Sequence, residues 1–175
     1  NICSVFTSGY TDSGQPYFVM ELLAGGSYAE RMASGPLAID EVIDVGIAVA
    51  DALCVAHDAG IVHCDVKPAN ILRSSYGSPM LSDFGIANLQ AETVTVTGIS
   101  ATPAFAAPEV LQGEPATTQS DVYSLGATLY ALTQGQLPFV RTGTENAFAV
   151  MGRVITEPVP AVTRADVPIA LRALL

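Results

Sequence analysis

The sequence predicts an α+β fold, mainly helical, with a small β-hairpin at its amino end. Two observations carry this. Short β-rich runs at residues 2–7 and 17–22 flank Gly9-Tyr10-Thr11-Asp12-Ser13-Gly14-Gln15-Pro16, and apolar runs around a Gly/Asp/Pro turn read as a hairpin. Further on, two stretches repeat apolar residues at helical spacing. Between Asp40 and Ala59, Val42, Val45, Val49, Leu53 and Ala56 share one face, and Gly60 stands where a helix ends. From Ser120 to Gln134, Val122, Leu125, Leu129 and Leu132 recur, with Asp121 near the start and Gly135 at the close.

The elements between follow in order. Ser27 is an N-cap for a short helix, Tyr28 to Met32, because its hydroxyl can satisfy an orphan backbone donor. Ser34-Gly35-Pro36 ends that helix. Glu41 sits where the second half of a capping box would lie, but the matching cap position is Ala38, which has no side-chain oxygen. Gly46 inside the long helix costs about 1 kcal/mol relative to alanine, which close packing against a neighbour would offset. Ile71-Leu72 and Met80-Leu81-Ser82 bracket a turn at 74–79 and form a second small hairpin that returns Asp83 beside Asn70. Residues 86–106 are a long Thr/Ser/Ala/Gly-rich loop, and loops of that length in a compact domain are usually functional. A further helix is expected around 144–156, after which Pro158, Pro160 and Pro168 punctuate the tail. His57 reads as an exposed helix residue.

Composition bounds the function. Half of the 175 residues are hydrophobic and only 14% are charged, which argues for one well-buried domain and against disorder. Seventeen acids against seven bases give a formal charge of −10, which disfavours nonspecific attraction to nucleic acid or anionic lipid and suits either a solvated acidic surface or a basic partner. Cys3, Cys54 and Cys64 are odd in number and lack Cys-x-x-Cys spacing, so neither a disulfide framework nor a zinc site is indicated and a reducing, cytoplasmic setting fits. No apolar run reaches the length of about 18 residues needed to span a bilayer.

The chemistry concentrates at residues 61–70, Ile-Val-His-Cys-Asp-Val-Lys-Pro-Ala-Asn, where an acid (Asp65), an ammonium (Lys67) and a carboxamide (Asn70) fall within six positions. Asp83-Phe84-Gly85 and then Ala107-Pro108-Glu109 follow. Singly, a loop Asp or Asn is more often a turn-former than a catalyst. In this order the three signatures resemble the catalytic loop, Asp-Phe-Gly and Ala-Pro-Glu segments of serine/threonine protein kinases, and the stretch Gly25-Gly26-Ser27-Tyr28-Ala29-Glu30-Arg31 resembles bacterial members. Lys67-Pro68 points to the serine/threonine branch, and Asp121-Val122-Tyr123-Ser124-Leu125-Gly126 matches the family's buried helix, whose Asp ties down the catalytic-loop backbone.

The resemblance covers nearly the whole chain and implies a partial protein kinase domain over 1–175. Residues 1–20 would end the small lobe, 21–26 form the hinge and 27–175 make the large lobe. It implies transfer of the ATP γ-phosphate to Ser/Thr hydroxyls of protein substrates, with ATP and Mg²⁺ as cofactors. Asp65 would accept the hydroxyl proton, Lys67 would stabilise the transferring phosphate, and Asn70 and Asp83 would bind Mg²⁺. Thr102 would contact Asp65 within Ala101-Thr102-Pro103-Ala104-Phe105-Ala106-Ala107-Pro108-Glu109 and help define the acceptor. Met20, Glu21, Leu23 and Leu72 would line the nucleotide side; Met20 taken alone reads equally as a core methionine. His63 takes a structural role near Asp-Phe-Gly in preference to an acid or metal ligand.

Departures qualify the match. Cys64 replaces the arginine that pairs with an activation-loop phosphate, so Thr93, Thr95, Thr97 and Ser100 are candidate phosphorylation sites without that partner. Ala69 gives no support for a preference for arginine-rich substrate peptides. The glycine-rich loop, the Val-Ala-x-Lys strand and the partner glutamate helix do not precede Asn1, and the arginine that pairs with the Ala-Pro-Glu glutamate is not reached. The expectation is a piece of a longer protein, inactive alone, with apolar surface exposed where the rest of the small lobe would sit and with either a free cytoplasmic or a membrane-anchored whole. The competing readings are a non-catalytic kinase-like scaffold, or pseudokinase fragment, that binds protein partners, and a small-molecule kinase of the aminoglycoside type, against which Asp-Phe-Gly and Ala-Pro-Glu argue.

Overall fold

A computed structural model describes residues 1–84, 103–141 and 146–175. Strands β1 (Val5–Tyr10) and β2 (Pro16–Met20) pair antiparallel, with an irregularity between Val5 and Thr7. Helices α1 (Tyr28–Met32) and α2 (Ile39–Asp58) follow, then a 3₁₀ turn at Pro68–Asn70 and the short hairpin β3 (Ile71–Arg73) and β4 (Pro79–Leu81). Beyond a 3₁₀ turn at Pro103–Phe105 come α3 (Pro108–Leu111), α4 (Thr118–Gln134), α5 (Ala147–Thr156) and α6 (Ile169–Leu174).

The amino-terminal run does not form one strand. Leu81 N–H donates to Asn1 O (2.7 Å) and Cys3 N–H to Leu81 O (2.9 Å), so the first residues lie along β4. The apolar run 2–7 is therefore split between two hairpins, and β1 starts three residues later than the pattern suggests.

Ser27 caps α1 as its sequence indicates: its Oγ accepts from Glu30 N–H, and Glu30 Oε2 accepts from Ser27 N–H at 2.9 Å. Helix α2 begins after Ala38 with no side-chain cap, and Glu41 instead accepts from Arg31 Nη2 at 3.2 Å. All five expected core positions of α2 are buried. At roughly 1.5–3 kcal/mol for each fully buried aliphatic side chain larger than alanine, that face outweighs the penalty of Gly46, whose missing Cβ admits Leu129 Cδ1 to within 3.3 Å of where it would sit. The main core gathers Tyr28, Leu37, Val45, Ile71, Leu81 and Leu132. A second, smaller core holds Ala104, Phe139, Val150 and Val154.

Helix α4 opens two residues earlier than its apolar period suggests, because Thr117 caps it through Ser120 N–H, and Gly135 closes it in the left-handed region at φ 69°. Its period misleads at one position, since Val122 is 63% exposed while Leu132 is fully buried. The small polar residues Ser120, Ser124, Thr128 and Thr133 are buried along with Asp121, and Thr128 Oγ1 reaches Val66 O at 3.3 Å. In the tail, Arg164 Nη1 donates to Leu37 O (2.7 Å) and Thr133 O (2.9 Å), pinning it under the end of α4. The tail also contains α6, which its prolines alone do not announce; Pro168 is that helix's N-cap residue.

Candidate active site

Asp65 stands between a tight backbone bend and the 3₁₀ turn that Pro68 starts, Pro68 being suited there because its fixed φ and missing N–H cost nothing at a helical first turn. One carboxylate oxygen of Asp65, Oδ2, receives both Lys67 Nζ (2.7 Å) and Asn70 Nδ2 (2.9 Å). Asn70 Nδ2 also donates to Asp65 O at 2.8 Å. The amide nitrogen thus commits its hydrogens to Asp65, and Oδ1 is the atom of Asn70 left with ligand chemistry. Asp65 Oδ1 accepts no hydrogen bond among the described residues.

Asp83 follows β4 with φ 63°, a left-handed conformation that non-glycine residues seldom adopt and that is associated with functional sites. Ser82 links it to Asn70: Ser82 N–H and Oγ both donate to Asn70 O (2.9 and 3.0 Å), and Oγ lies 3.4 Å from Asp83 Oδ2. The second hairpin therefore brings Asp83 back beside Asn70, as its sequence indicates.

Beneath these groups His63 is fully buried. Asp65 N–H donates to its Nδ1 (3.2 Å), so Nδ1 is unprotonated, and Nε2–H donates to Ser82 O (2.9 Å). A single neutral tautomer satisfies both bonds. Burial holds the imidazole pKa below the ordinary histidine range, against the raising influence of the Ser82 carbonyl and of Asp121. The ring also packs 4.6 Å from that of Phe84, which places His63 in the structural role read from its sequence.

The loop backbone is fixed from below by Asp121, which is inaccessible to solvent. Its Oδ2 accepts from His63 N–H and its Oδ1 from Cys64 N–H, each at 2.8 Å. Cys64 is held at φ 68°, the second strained residue of the site. Thr128 Oγ1 adds a bond to Val66 O at 3.3 Å.

A protein kinase domain model matches residues 1–167. The chain belongs to the protein kinase domain family. It is similar to the serine/threonine-protein kinase PknK of Mycobacterium bovis, 40% identical over all of this chain and 16% of that protein's length. It is also similar to the probable serine/threonine-protein kinase PknB of Lactococcus lactis, 36% identical over 98% of this chain and 27% of that protein, and to PknJ of Mycobacterium bovis, 37% identical over 93% and 28%. The kinase domain chain thus spans a minor fraction of the length of each of these relatives.

Of the other residues singled out in the sequence, Met20 lines an apolar cavity of about 410 Å³ together with Cys3, Phe18, Asp83 and Phe84. Glu21 is exposed, and its N–H donates to Ser4 O at 3.0 Å. Leu23 and Leu72 are half-buried, Leu72 paired through its backbone with Ser27. Thr102 and the loop residues Thr93, Thr95, Thr97 and Ser100 lie outside the described residues. Glu109 Oε1 accepts from Ser120 Oγ at 2.7 Å. His57 corrects the reading of an exposed helix residue: its side chain is only 17% accessible, and Nε2 lies 2.8 Å from Asp121 Oδ2. The last turn of α2 turns it inward under the loop, where Asp121 supplies its partner.

Among the described residues no helix is long and apolar enough to cross a membrane, and no cluster of three or more His, Cys, Asp or Glu side chains forms a metal cage.

Proposed function

We propose that this domain carries the catalytic loop of a serine/threonine protein kinase that transfers the ATP γ-phosphate to hydroxyls of protein substrates, acting in the cytoplasm as part of a longer protein. The observation that carries the reading is the Asp65 carboxylate. Lys67 and Asn70 hold one oxygen from two sides, leaving the other to accept a proton from an incoming hydroxyl. In this division residues 1–20 end a small lobe, 21–26 form the hinge and 27–175 make the large lobe.

The donor set fits Mg²⁺. Asn70 Oδ1 and the Asp83 carboxylate are hard oxygen donors on adjoining elements, and Mg²⁺ is commonly held by one or two protein oxygens together with water and substrate phosphates. When bound, Mg²⁺-ATP supplies a γ-phosphoryl group whose negative charge the metal shares. Asn70 and Asp83 would hold the metal. Met20, Glu21, Leu23 and Leu72 would bound the nucleotide. Lys67 places its charge beside Asp65, where the transferring group would pass, and Thr102 would align the acceptor.

The test is ATP-dependent labelling of a generic Ser/Thr protein substrate by the full-length protein. Asp65→Ala should lower labelling by at least about 100-fold, the lower range for a lost general base. Labelling that survives the change would overturn the assignment of Asp65.

A further inference from the structure

Ser82 lies between the two residues whose oxygens suit Mg²⁺. Its Oγ stands 3.0 Å from Asn70 O and 3.4 Å from Asp83 Oδ2. Ser82 is buried, whereas Asp83, just past the end of β4, is exposed. Among the described residues no other side chain is hydrogen-bonded to the Asp83 carboxylate.

Two bonds already fix the main chain of Ser82, its N–H donating to Asn70 O and its O accepting from His63 Nε2, each at 2.9 Å. Any residue other than proline in this place would make both. The hydroxyl therefore adds a second donor to a carbonyl that has one, and removing it strands no buried acceptor. A serine present only to fill the core could be alanine without losing a bond the backbone needs. What alanine would lack is any hold on the Asp83 carboxylate. The hydroxyl has one hydrogen, which rests on Asn70 O in this geometry and is within reach of Asp83 Oδ2. In either position the serine oxygen spaces the main chain of Asn70 from the side chain of Asp83.

We propose that Ser82 is a positioning residue for the divalent cation, its hydroxyl setting the Asp83 carboxylate against Asn70 so that Asp83 and Asn70 Oδ1 meet one cation together. Groups hydrogen-bonded to a ligating carboxylate govern metal affinity by orienting it. This role rests on the proposed assignment of Asn70 and Asp83 as the oxygen donors, and it concerns cation binding, before any phosphate moves.

The probe is Mn²⁺, which takes the same oxygen donors as Mg²⁺ and whose free ion is counted by electron paramagnetic resonance. Binding to the full-length protein is titrated without nucleotide, and Asp83→Asn defines by difference the part that belongs to this site. Ser82→Ala should weaken that part by about threefold to tenfold, while the thermal midpoint of this domain in metal-free buffer stays within about 2 °C of the parent. Ser82→Thr, which keeps the hydroxyl, should bind within about twofold of the parent. Parent-like binding by Ser82→Ala, an equal loss in Ser82→Thr, a loss matched by a fall in the thermal midpoint, or parent binding that Asp83→Asn leaves unchanged would each overturn the proposal. ATP-dependent labelling of a protein substrate by the parent is read in parallel. Its absence beside an intact serine effect would overturn the phosphoryl-transfer reading and still support the positioning role.

Discussion

His57 Nε2 near the end of α2 and Asp121 Oδ2 in the first turn of α4 lie 2.8 Å apart, joining two helices beneath the loop that carries Asp65. The same carboxylate takes the N–H groups of His63 and Cys64. One buried side chain therefore fixes both the packing of the helices and the bend that presents Asp65. Replacing it by alanine strands two backbone donors and the imidazole at once. Unsatisfied buried groups cost about 1–3 kcal/mol each, and breaking a buried charged network about 3–5 kcal/mol, so Asp121→Ala should lose roughly 3–5 kcal/mol of stability in denaturant titration. His57→Ala leaves the two backbone bonds in place and should cost less, about 1–3 kcal/mol. Equal losses for the two would mean that the loop backbone does not depend on Asp121.

The buried neutral His63 sets a pH dependence of stability. Its folded pKa lies below the ordinary histidine value near 6.5 because burial disfavours the imidazolium. Once pH falls below about 6.5 the unfolded chain binds a proton that the folded chain does not, so the folded state loses stability as pH drops, and the contribution is fully present above that range. Thermal unfolding between about pH 7.5 and 5 should show this fall. His63→Gln, which keeps a donor and an acceptor but no titration, should flatten that part of the profile.

Much of this arrangement is legible in the chain because it is local or ordered. The period of α2 places its five core residues correctly, Ser27 declares its cap, and Asp65, Lys67 and Asn70 stand close enough in sequence for one bend to gather them. What escapes is long-range. His57 and Asp121 are 64 residues apart and Arg164 reaches Leu37 across 127, separations that leave no periodic trace. Val122 fits the apolar period of α4 yet is exposed, while Leu125, Leu129 and Leu132 of the same period meet the main core and the polar Asp121 and Thr128 of the helix hold the loop. The amino-terminal run reads as one strand because apolar alternation cannot say that its first residues pair with β4.

The cysteines should separate by reactivity. Cys54 is exposed on α2. Cys3 is 5% accessible, and its thiol pKa is pushed up by burial first and then by the Glu21 and Asp83 carboxylates. Alkylation proceeds through the thiolate, so a brief iodoacetamide pulse of the native chain followed by peptide mass spectrometry should find Cys54 modified and Cys3 protected. Denaturant should abolish the difference. Comparable native labelling of the two would place Cys3 outside the bonded strip beside Leu81.

Gly25 tests the junction between β2 and α1. Its N–H donates to Arg73 O at 3.0 Å, and a Cβ on Gly25 would meet that carbonyl oxygen at 2.5 Å and Arg73 Cβ at 2.7 Å. The obstacle is backbone of β3, whose Arg73 N–H donates to Gly26 O at 2.9 Å, so it cannot swing aside as a flexible side chain would. Overpacking of this kind costs about 1–3 kcal/mol. Gly46→Ala meets only the tips of Leu129, which can rotate, and recovers helix propensity of up to about 1 kcal/mol. In parallel thermal melts Gly25→Ala should therefore fall below the parent and Gly46→Ala should match or exceed it. The reverse order would show that the close approach at Gly25 yields more easily than the packing of α2 against α4.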